Sequence, residues 1–375
     1  MDRRFAMFLF AVAVFILCMF AFTSYRIGTS FSACAGFVWL AVSLLSVAAI
    51  VIFKVYSEFP AISGLRLFVS KSCHLWIVFV FLTLASMCIL DVVRFTIGIE
   101  CAARTECTAA LAAALLLMAI GSFEARSADI TTLRIVTDKL PPDVKHLRVA
   151  AVSDLHIGSL TGDGHIDEIV RCTESAKPDI LLLAGDITDT PIDKSEAIAA
   201  AFRRIKAPLG IFAVLGNHDG YGNMDETKEF MSACGIEIVE NEYREVGGIV
   251  VEGVGDLDHT EEDEWGLSRS EKHIVNTKNK FRDKFIVLLR HRPVVETCTQ
   301  GLFDLQISGH FHGGQIVPLP WSRLKIRGHS RGFRKLLRGS LLYTTNGISC
   351  SIVHIRIFAP PEIVIIDIVN KNASK

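Results

Sequence analysis

The sequence L-R-V-A-A-V-S-D-L-H at residues 147–156 decides the fold, because a short apolar run ends there in two polar residues, Asp154 and His156. The same pattern recurs in I-L-L-L-A-G-D at 180–186 and in I-F-A-V-L-G-N-H-D at 211–219. Short apolar runs separated by stretches with helical periodicity are typical of a β-α-β-α-β arrangement. The pattern predicts a largely buried sheet covered by helices.

The helices between these runs are indicated by apolar residues at helical spacing, in 166–170 and again in 197–205. Four later apolar runs supply strands for a second sheet, at 285–289, 305–307, 341–343 and 363–368. We therefore predict an α/β fold in which a two-sheet β-sandwich is flanked by helices. This domain is expected at 147–375, and residues 126–146 are expected to be a linker that carries a first strand at 131–137.

The composition divides the chain into two parts. Of its 375 residues, 50% are hydrophobic and 21% are charged, and the formal net charge is −1. This composition excludes a disordered or collagen-like chain, and the near-neutral balance provides no overall positive field that would hold nucleic acid. Nearly all charged residues follow residue 125. The pattern predicts a membrane region at 1–125 and a soluble domain after it.

The membrane region contains four apolar stretches whose length approaches the roughly 20 residues that span a bilayer. They lie near 5–25, 30–53, 72–92 and 107–123. We predict four transmembrane helices, although the Ala-rich fourth stretch is also compatible with a buried or interfacial helix. The first stretch also resembles a signal peptide because Arg3 and Arg4 precede it, but an uncleaved anchor fits its length better.

The orientation in the membrane is predicted from the Lys and Arg residues of the short connecting segments. With the N-terminus inside, the inner segments hold Arg3, Arg4, Lys54, Arg66, Lys71 and Arg126, and the outer ones hold Arg26, Arg94 and Arg104. The positive-inside rule then predicts a multi-pass protein of the cell (inner) membrane whose soluble domain lies in the cytoplasm. Cys101 and Cys107 share a predicted outer loop, where a disulfide is compatible with the compartment.

Polar clusters follow the apolar runs of the soluble domain. They are Asp154 with His156, Gly185-Asp186, Gly216-Asn217-His218-Asp219, His291, and Gly309-His310-Phe311-His312. The carboxyl ends of strands form the edge of an α/β sheet where ligands bind, so these clusters should converge. The glycines before Asp186, Asn217 and His310 should let the backbone turn sharply and approach a ligand closely.

The converging side chains offer imidazole and oxygen donors without a thiolate. The candidate metal ligands are Asp154, His156, Asp186, Asn217, His291, His310 and His312. Seven donors exceed the four of one tetrahedral ion and fit two ions about 3.5–4 Å apart. Mixed nitrogen and oxygen ligation suits manganese, iron, zinc or cobalt and does not choose among them.

Each cluster by itself has an ordinary structural interpretation. A single Asp-x-His motif is usually a solvated loop, and a single G-N-H-D motif is usually a turn that caps the next helix. Five clusters that all follow apolar runs are not explained in this way. The remaining histidines, such as His74 and His146, have no such setting and are interpreted as surface or core residues.

The clusters resemble the five blocks of the calcineurin-like metallophosphoesterases, which read D-x-H, G-D, G-N-H-[DE], H and G-H-x-H. The resemblance extends over about 133–368 and includes all five blocks in order. It is closest to a membrane-associated bacterial branch, with G-H-x-H-G-G-Q at 309–315 and P-P-E at 360–362. Phe311 stands where that branch usually has Thr, which affects the fit of a substrate more than the binding of metal.

The resemblance implies a role for each matching residue. One metal ion would be held by Asp154, His156 and His312, the second by Asn217, His291 and His310, and Asp186 would bridge them. A hydroxide shared by the two ions would attack phosphorus in line with the leaving oxygen. His218 would stabilise the transition state or protonate the leaving oxygen, and Asp219 would orient it.

A basic run follows the last block. It includes Arg323, Lys325, Arg327 and Arg331, which we consider as substrate-binding residues, and no acidic residue occurs between Arg323 and Arg338. Such a run binds a phosphate, contacts anionic lipid headgroups, or forms a solvated loop. Interleaved apolar residues, such as Trp321 and Phe333, favour a surface that contacts the membrane.

We therefore expect a membrane-anchored phosphoesterase that depends on two metal ions and hydrolyses a phosphodiester or pyrophosphate bond. In the bacterial branch, hydrolysis of UDP-diacylglucosamine is one activity, so a phosphorylated, lipid-linked small molecule is the first substrate to consider. The alternative is a membrane-bound scaffold or sensor that retains metal without turnover. A transporter is disfavoured because no charged residue lies in the middle of the spans, and a nuclease because no extended basic track exists.

Overall fold

The computed structural model describes residues 3–55, 63–158, 164–189, 196–220, 223–255, 268–316, 331–350 and 353–374. Within this part the chain divides into two compact units, Met1–Ser122 and Phe123–Lys375.

The first unit is made of apolar helices: α1 (Arg3–Ser30), α2 (Ala33–Val55), α3 (Ser63–Ile97) and α4 (Ala103–Glu124). All four are long and apolar enough to cross a membrane by length and composition, including the Ala-rich fourth. Trp39 packs against Trp76 with ring centroids 4.8 Å apart, and its indole N–H donates to the Thr23 hydroxyl. Both indoles therefore join neighbouring helices of the unit.

Charged side chains meet at one end of these helices. The Arg26 guanidinium of α1 lies 2.8 Å from the Asp91 carboxylate of α3 and 3.3 Å from the Glu106 carboxylate of α4. Arg94 of α3 lies 3.5 Å from the same Glu106. These ion pairs join three helices near their ends, which agrees with the prediction that no charge lies in the middle of a span.

The second unit contains two six-stranded sheets. Its elements are β1 (Asp129–Thr137), β2 (His146–Val152), α5 (Gly164–Ala176), β3 (Ile180–Ala184), α6 (Glu196–Phe202), β4 (Ile211–Val214), α7 (Met224–Ala233), β5 (Glu237–Ile238), β6 (Glu242–Val246), β7 (Ile249–Gly253), α8 (Arg269–Lys280), β8 (Phe285–Leu289), β9 (Leu305–Ser308), β10 (Gly332–Lys335), β11 (Leu341–Thr344) and β12 (Glu362–Asn370).

The strand order is β1-β12-β2-β3-β4-β5 in the first sheet and β10-β11-β9-β8-β7-β6 in the second. In the first sheet β2 to β5 run parallel, and in the second β7, β8, β9 and β11 run parallel. Parallel neighbours bring their carboxyl ends to one edge of each sheet. The predicted α/β sandwich flanked by helices is confirmed. The run at 363–368 was predicted for the second sheet, which is wrong, because it forms β12 and pairs with β1 and β2 in the first sheet.

Alternate residues of each central strand belong to different hydrophobic cores. In β2, Val149 and Ala151 lie in the core between the sheets, whereas Ala150 and Val152 lie in the core beneath α5, α6 and α7. In β8, Val287 faces the same inner core and its neighbours face α8. Both faces of these strands are buried, which explains why their sequences are continuous apolar runs rather than alternating ones.

The structure contains strands that the sequence analysis did not identify. Strands β5, β6 and β7 lie between 237 and 253, where polar and charged residues such as Glu242 and Arg244 interrupt the apolar pattern. Strand β10 lies inside the basic run and pairs antiparallel with β11 at the edge of the second sheet. Exposed edge strands carry charged side chains, so their sequence resembles a solvated loop.

A buried carboxyl lies between the second sheet and α8. Glu252 of β7 is fully buried, and its Oε1 lies 3.6 Å from Nε2 of His273 on α8. Burial raises the pKa of Glu252 to about 8 and lowers the pKa of His273. Both groups are therefore held in the neutral form at neutral pH, because burial of the neutral form in a hydrophobic core costs less free energy than burial of the charged form.

This burial predicts a specific pH dependence of stability. In the unfolded chain Glu252 loses its proton near pH 4.5, whereas the folded chain retains it up to about pH 8, so stability decreases as the pH rises through this window. We expect Glu252→Gln to raise the free energy of unfolding by roughly 2–4 kcal/mol at pH 9 and to change it little near pH 4.

The measurement is thermal unfolding of the full chain in detergent between pH 4 and pH 9, with Glu245→Gln on the exposed face of β6 as the matched control. Equal pH profiles for Glu252→Gln and the unmodified chain would contradict the assignment of this carboxyl.

Candidate metal centre

The predicted site residues follow the carboxyl ends of five strands. Asp154 and His156 follow β2, Asp186 follows β3, Asn217 and His218 follow β4, His291 follows β8, and His310 and His312 follow β9. Their ligand atoms form two groups in which all candidate atoms lie within 4.8 Å of one another: Asp154, His156 and His312, and Asp186, His291 and His310. The two sheets therefore bring the sequence clusters together at one edge.

In the first group, two imidazole nitrogens point at each other. Nε2 of His156 lies 3.2 Å from Nε2 of His312. Nδ1 of His312 lies 3.0 Å from the Ser349 carbonyl, which can only accept, so this Nδ1 carries the proton. Nδ1 of His156 lies 3.0 Å from the Asp189 carboxylate and donates in the same way. Nε2 of His312 therefore presents a lone pair, and Nε2 of His156 faces it.

The second group has the same character. Nδ1 of His291 donates to the Ala184 carbonyl at 2.9 Å, which leaves Nε2 as an acceptor. This Nε2 faces Oδ2 of Asp186 at 3.0 Å and Nδ1 of His310 at 3.1 Å. Two imidazoles and a carboxylate thus meet around one point.

Asp186 lies between the two groups. Its Oδ2 is 3.0 Å from His291 Nε2 in one group and 4.0 Å from His156 Nε2 in the other. Its Oδ1 accepts from the backbone N–H of His218 at 2.8 Å. Asn217, the seventh candidate ligand, is buried directly before His218. One carboxylate is therefore shared by the two groups, as a bridging ligand requires.

The protonation states of most candidate ligands suit metal ligation. His156 is the exception, because burial opposes its charge but the hydrogen bond and charge of Asp189 raise its pKa above the ordinary value. Burial lowers the pKa of His312 to about 3, and burial together with the neighbouring His291 lowers the pKa of His310 to about 4. Burial opposes the charge of Asp186 and Asp154, but the surrounding imidazoles lower the pKa of both carboxyls below the usual range. Neutral imidazoles and ionised carboxylates are the forms that bind metal ions.

The donor set fits metal ions. Two imidazole nitrogens that face each other at about 3 Å are joined either by a proton on one of them or by a metal cation between them. Imidazole and carboxylate together suit divalent transition metals. The residues present therefore fit two ions that share Asp186.

The ligand-bearing loops have an unusual backbone. Asp154, His156, Asp186, His310 and His312 all have φ between 48° and 76°, in the left-handed region. A residue with a side chain adopts this region at a cost of about 1–3 kcal/mol when the surrounding structure enforces it. Five such residues at one edge indicate that backbone strain is concentrated at the candidate centre.

Three glycines permit the close packing of these loops. A Cβ atom on Gly216 would lie 2.2 Å from Oδ1 of Asp186, and one on Gly309 would lie 2.4 Å from Oδ2 of Asp154. A Cβ atom on Gly185, which has φ of 84°, would lie 2.6 Å from Nδ1 of His291. The predicted need for glycine before Asp186, Asn217 and His310 is confirmed by these contacts.

The partner of His218 differs from the prediction. We expected Asp219 to orient His218, but the carboxylate that contacts Nδ1 of His218, at 2.6 Å, belongs to Asp189. The Asp219 carboxylate instead accepts from the backbone N–H groups of 187, 188 and 216 and from the Thr188 hydroxyl. Asp219 therefore fixes the loops after β3 and β4.

Asp189 is the residue that the sequence analysis missed. It contacts both His156 and His218, and these hydrogen bonds outweigh its burial and lower its pKa to about 2. The only sequence signal is its position in G-D-I-T-D, three residues after Asp186. Nothing in that spacing distinguishes it from an acidic surface residue.

A buried arginine supports His312. Arg356 is fully buried and donates to the backbone carbonyls of His312, Asn346, Ala359, Gly347 and Ser349. The Ser349 carbonyl also accepts from Nδ1 of His312. Arg356 therefore holds both the backbone and the hydrogen-bond acceptor that orient this ring.

The predicted substrate-binding residues are only partly covered by the structure. Arg323, Lys325 and Arg327 lie outside the described residues. Arg331 is exposed, and its Nη1 donates to the Phe358 carbonyl at 2.7 Å.

Comparison with known proteins shows what the second unit is similar to. Residues 147–314 match the family model described as calcineurin-like phosphoesterase. An uncharacterized metallophosphoesterase from Aquifex aeolicus is 28% identical over 260 residues, covering 69% of this chain and 98% of that protein. A Danio rerio transmembrane protein with metallophosphoesterase domain is 27% identical over 251 residues, covering 62% of this chain and 56% of that protein.

Other relatives are covered only in part. A Helicobacter pylori uncharacterized metallophosphoesterase is 27% identical, and the chain spans 63% of its length. Among solved structures, TT1561 of Thermus thermophilus is 16% identical, with a TM-score of 0.37 and coverage of 55% of this chain and 91% of that one.

The glycine contacts predict that Gly185→Ala and Gly235→Ala will behave differently. Both positions have a left-handed backbone, with φ of 84° and 75°, so both substitutions should lower stability by about 1 kcal/mol through strain. Only the Cβ atom at Gly185 would meet His291, because nothing lies within 4 Å of the one at Gly235. We expect only Gly185→Ala to lose bound metal, measured as metal per chain by mass spectrometry. Equal metal content in the two variants would contradict this explanation.

Proposed function

We propose that this chain, whose residues 147–314 match the model of the calcineurin-like phosphoesterases, is a membrane-anchored hydrolase of phosphodiester or pyrophosphate bonds that depends on two metal ions. The observation that carries the proposal is the pair of imidazole and carboxylate groups that share Asp186. Two groups of nitrogen and oxygen donors with a carboxylate between them favour two cations held side by side.

The proposed ligands divide between the two groups. Asp154, His156 and His312 would hold one ion, Asn217, His291 and His310 the other, and Asp186 both. When bound, two such ions act as Lewis acids on a phosphoryl oxygen and lower the pKa of water, which supplies a nucleophile at neutral pH. Manganese, iron, zinc and cobalt all suit these ligands, and the donor chemistry does not distinguish them.

His218 is proposed to transfer the proton in this reaction. Asp189 accepts from Nδ1 of His218 at 2.6 Å, which fixes the ring orientation and leaves Nε2 to exchange a proton with the substrate. The backbone N–H of His218 donates to Asp186, so the position of the ring is tied to the shared carboxylate.

A lipid-linked substrate is the finer part of the proposal. Apolar helices precede the domain and basic residues follow its last motif, which suits a molecule with both a phosphate and an acyl part. UDP-diacylglucosamine has this chemistry and is the first specific substrate to test. The charge distribution of the short loops supports a cytoplasmic orientation of the domain in the inner membrane.

The first test compares the full chain with Asp186→Asn and Asp283→Asn, purified in detergent. Asp186 is the shared carboxylate, whereas Asp283 is exposed in the turn before β8. We expect metal-dependent hydrolysis of bis-p-nitrophenyl phosphate by the unmodified chain and Asp283→Asn, and a loss of at least about 100-fold in Asp186→Asn. A folded, metal-loaded protein without turnover on this ester or on UDP-diacylglucosamine would instead support the metal-retaining scaffold or sensor.

A second test concerns the proton transfer by His218. An alkyl leaving group needs protonation and p-nitrophenolate does not, so His218→Ala should reduce kcat by about 100-fold or more only for alkyl phosphodiesters. Metal content should stay unchanged, because the proposed ligand set does not include His218. An equal loss for both esters would contradict general acid catalysis and would assign His218 to charge stabilisation.

A further inference from the structure

Exposed apolar side chains cluster beside basic ones at the β10 edge of the second sheet. Phe333 on β10, Leu337 in the following turn, and Phe358 have 46%, 64% and 68% of their surface exposed. Isolated apolar residues are common on protein surfaces, but these three are interleaved or in contact with a basic segment. Its cationic residues are Arg331, Arg334, Lys335 and Arg338, all exposed.

Phe358 is held in solvent by its backbone. Its φ is 56°, in the left-handed region, which is a genuine outlier for a bulky residue. Its carbonyl accepts from Arg331 at 2.7 Å, and its N–H lies 3.3 Å from the Glu124 carboxylate, to which it donates. The chain thus retains backbone strain while it exposes an aromatic ring, which is a common feature of binding sites.

Phe358 contacts Glu124, which belongs to the same compact unit. Glu124 is the last residue of a stretch that is long and apolar enough to span a membrane. Arg331 joins β10 to Phe358.

We propose that the β10 edge, the turn at 337–339 and Phe358 form a surface that binds anionic phospholipid headgroups. The aromatic and Leu side chains would enter the boundary between headgroups and acyl chains, and the Lys and Arg side chains would pair with lipid phosphates. No acidic residue occurs between 331 and 340, so the charge of the segment complements an anionic lipid surface. The proposal goes beyond the proposed function and does not depend on turnover.

The surface is also connected to the candidate metal centre. Arg356, which holds the backbone of His312, lies two residues before Phe358. The contact between Ile316 and Ile357 joins the same two segments as a β-bridge. Attachment of Phe358 to a bilayer would therefore bring the segment that carries His312 towards the lipid phosphates.

The test is photocrosslinking of the full chain in nanodiscs. Benzoylphenylalanine replaces Phe333, Leu337 or Phe358 in turn, and Leu209, an exposed apolar residue before β4, is the matched control. The nanodiscs contain either phosphatidylcholine alone or a mixture with phosphatidylglycerol. We expect lipid adducts by mass spectrometry at the three surface positions, at least fivefold above those at Leu209 and higher with phosphatidylglycerol.

A charge variant provides the second arm. Arg334→Gln, Lys335→Gln and Arg338→Gln are combined, and thermal unfolding confirms that the fold is retained. The adduct yield at Phe358 should fall several-fold in phosphatidylglycerol nanodiscs to the level seen with phosphatidylcholine. Adducts to a second copy of this chain, or lipid yields equal to that at Leu209, would overturn the proposal. Loss of hydrolysis with lipid adducts retained would count against the proposed function alone.

Discussion

The structure of the candidate metal centre depends on one electrostatic constraint, the approach of several imidazole nitrogens and carboxylates to the same point. Backbone carbonyls fix the protons of His291 and His312 on Nδ1, and Asp189 does the same for His156. The opposite nitrogens must then face each other or a carboxylate at 3.0–3.2 Å. Either a proton on one ring or a metal cation between the rings satisfies this arrangement, so the hydrogen-bonding partners outside the centre influence what the inside can bind.

This constraint explains features that lie outside the ligand set. The glycines of the loops allow ligand side chains to approach the neighbouring backbone, and Arg356 ties the His312 loop to the segment before β12 through five carbonyls. Asp219 fixes the loops after β3 and β4 by accepting from their backbone N–H groups, while burial and the nearby charge of Asp186 raise its pKa to about 6. Many residues near the candidate centre therefore position the candidate ligands and are not candidate ligands themselves.

The sequence predicted the parts of the molecule in which one physical signal dominates. Buried parallel strands such as β3 and β8 are continuous apolar runs, and the polar clusters that follow such strands locate the edge where ligands meet. Edge strands β6 and β10 were missed because their exposed side chains resemble those of loops. The sequence analysis missed Asp189. It assigned the orientation of His218 to Asp219, because Asp219 is the next residue in the sequence. The loop after β3 instead brings Asp189 into contact with that ring, which is a tertiary relationship that spacing does not contain.

The left-handed backbone of the loops that carry the candidate ligands restricts which residue types can replace these ligands. Asp, Asn and His tolerate positive φ better than most residues with a side chain, and the same three supply oxygen and nitrogen donors. The residue types that tolerate this backbone and those that can bind a metal ion are therefore nearly the same. Both requirements apply at Asp154, His156, Asp186, His310 and His312. Glycine at these positions would keep the same backbone at little conformational cost but would supply no donor atom. Restoring the candidate centre from such a variant would require several strained side chains to be reintroduced together.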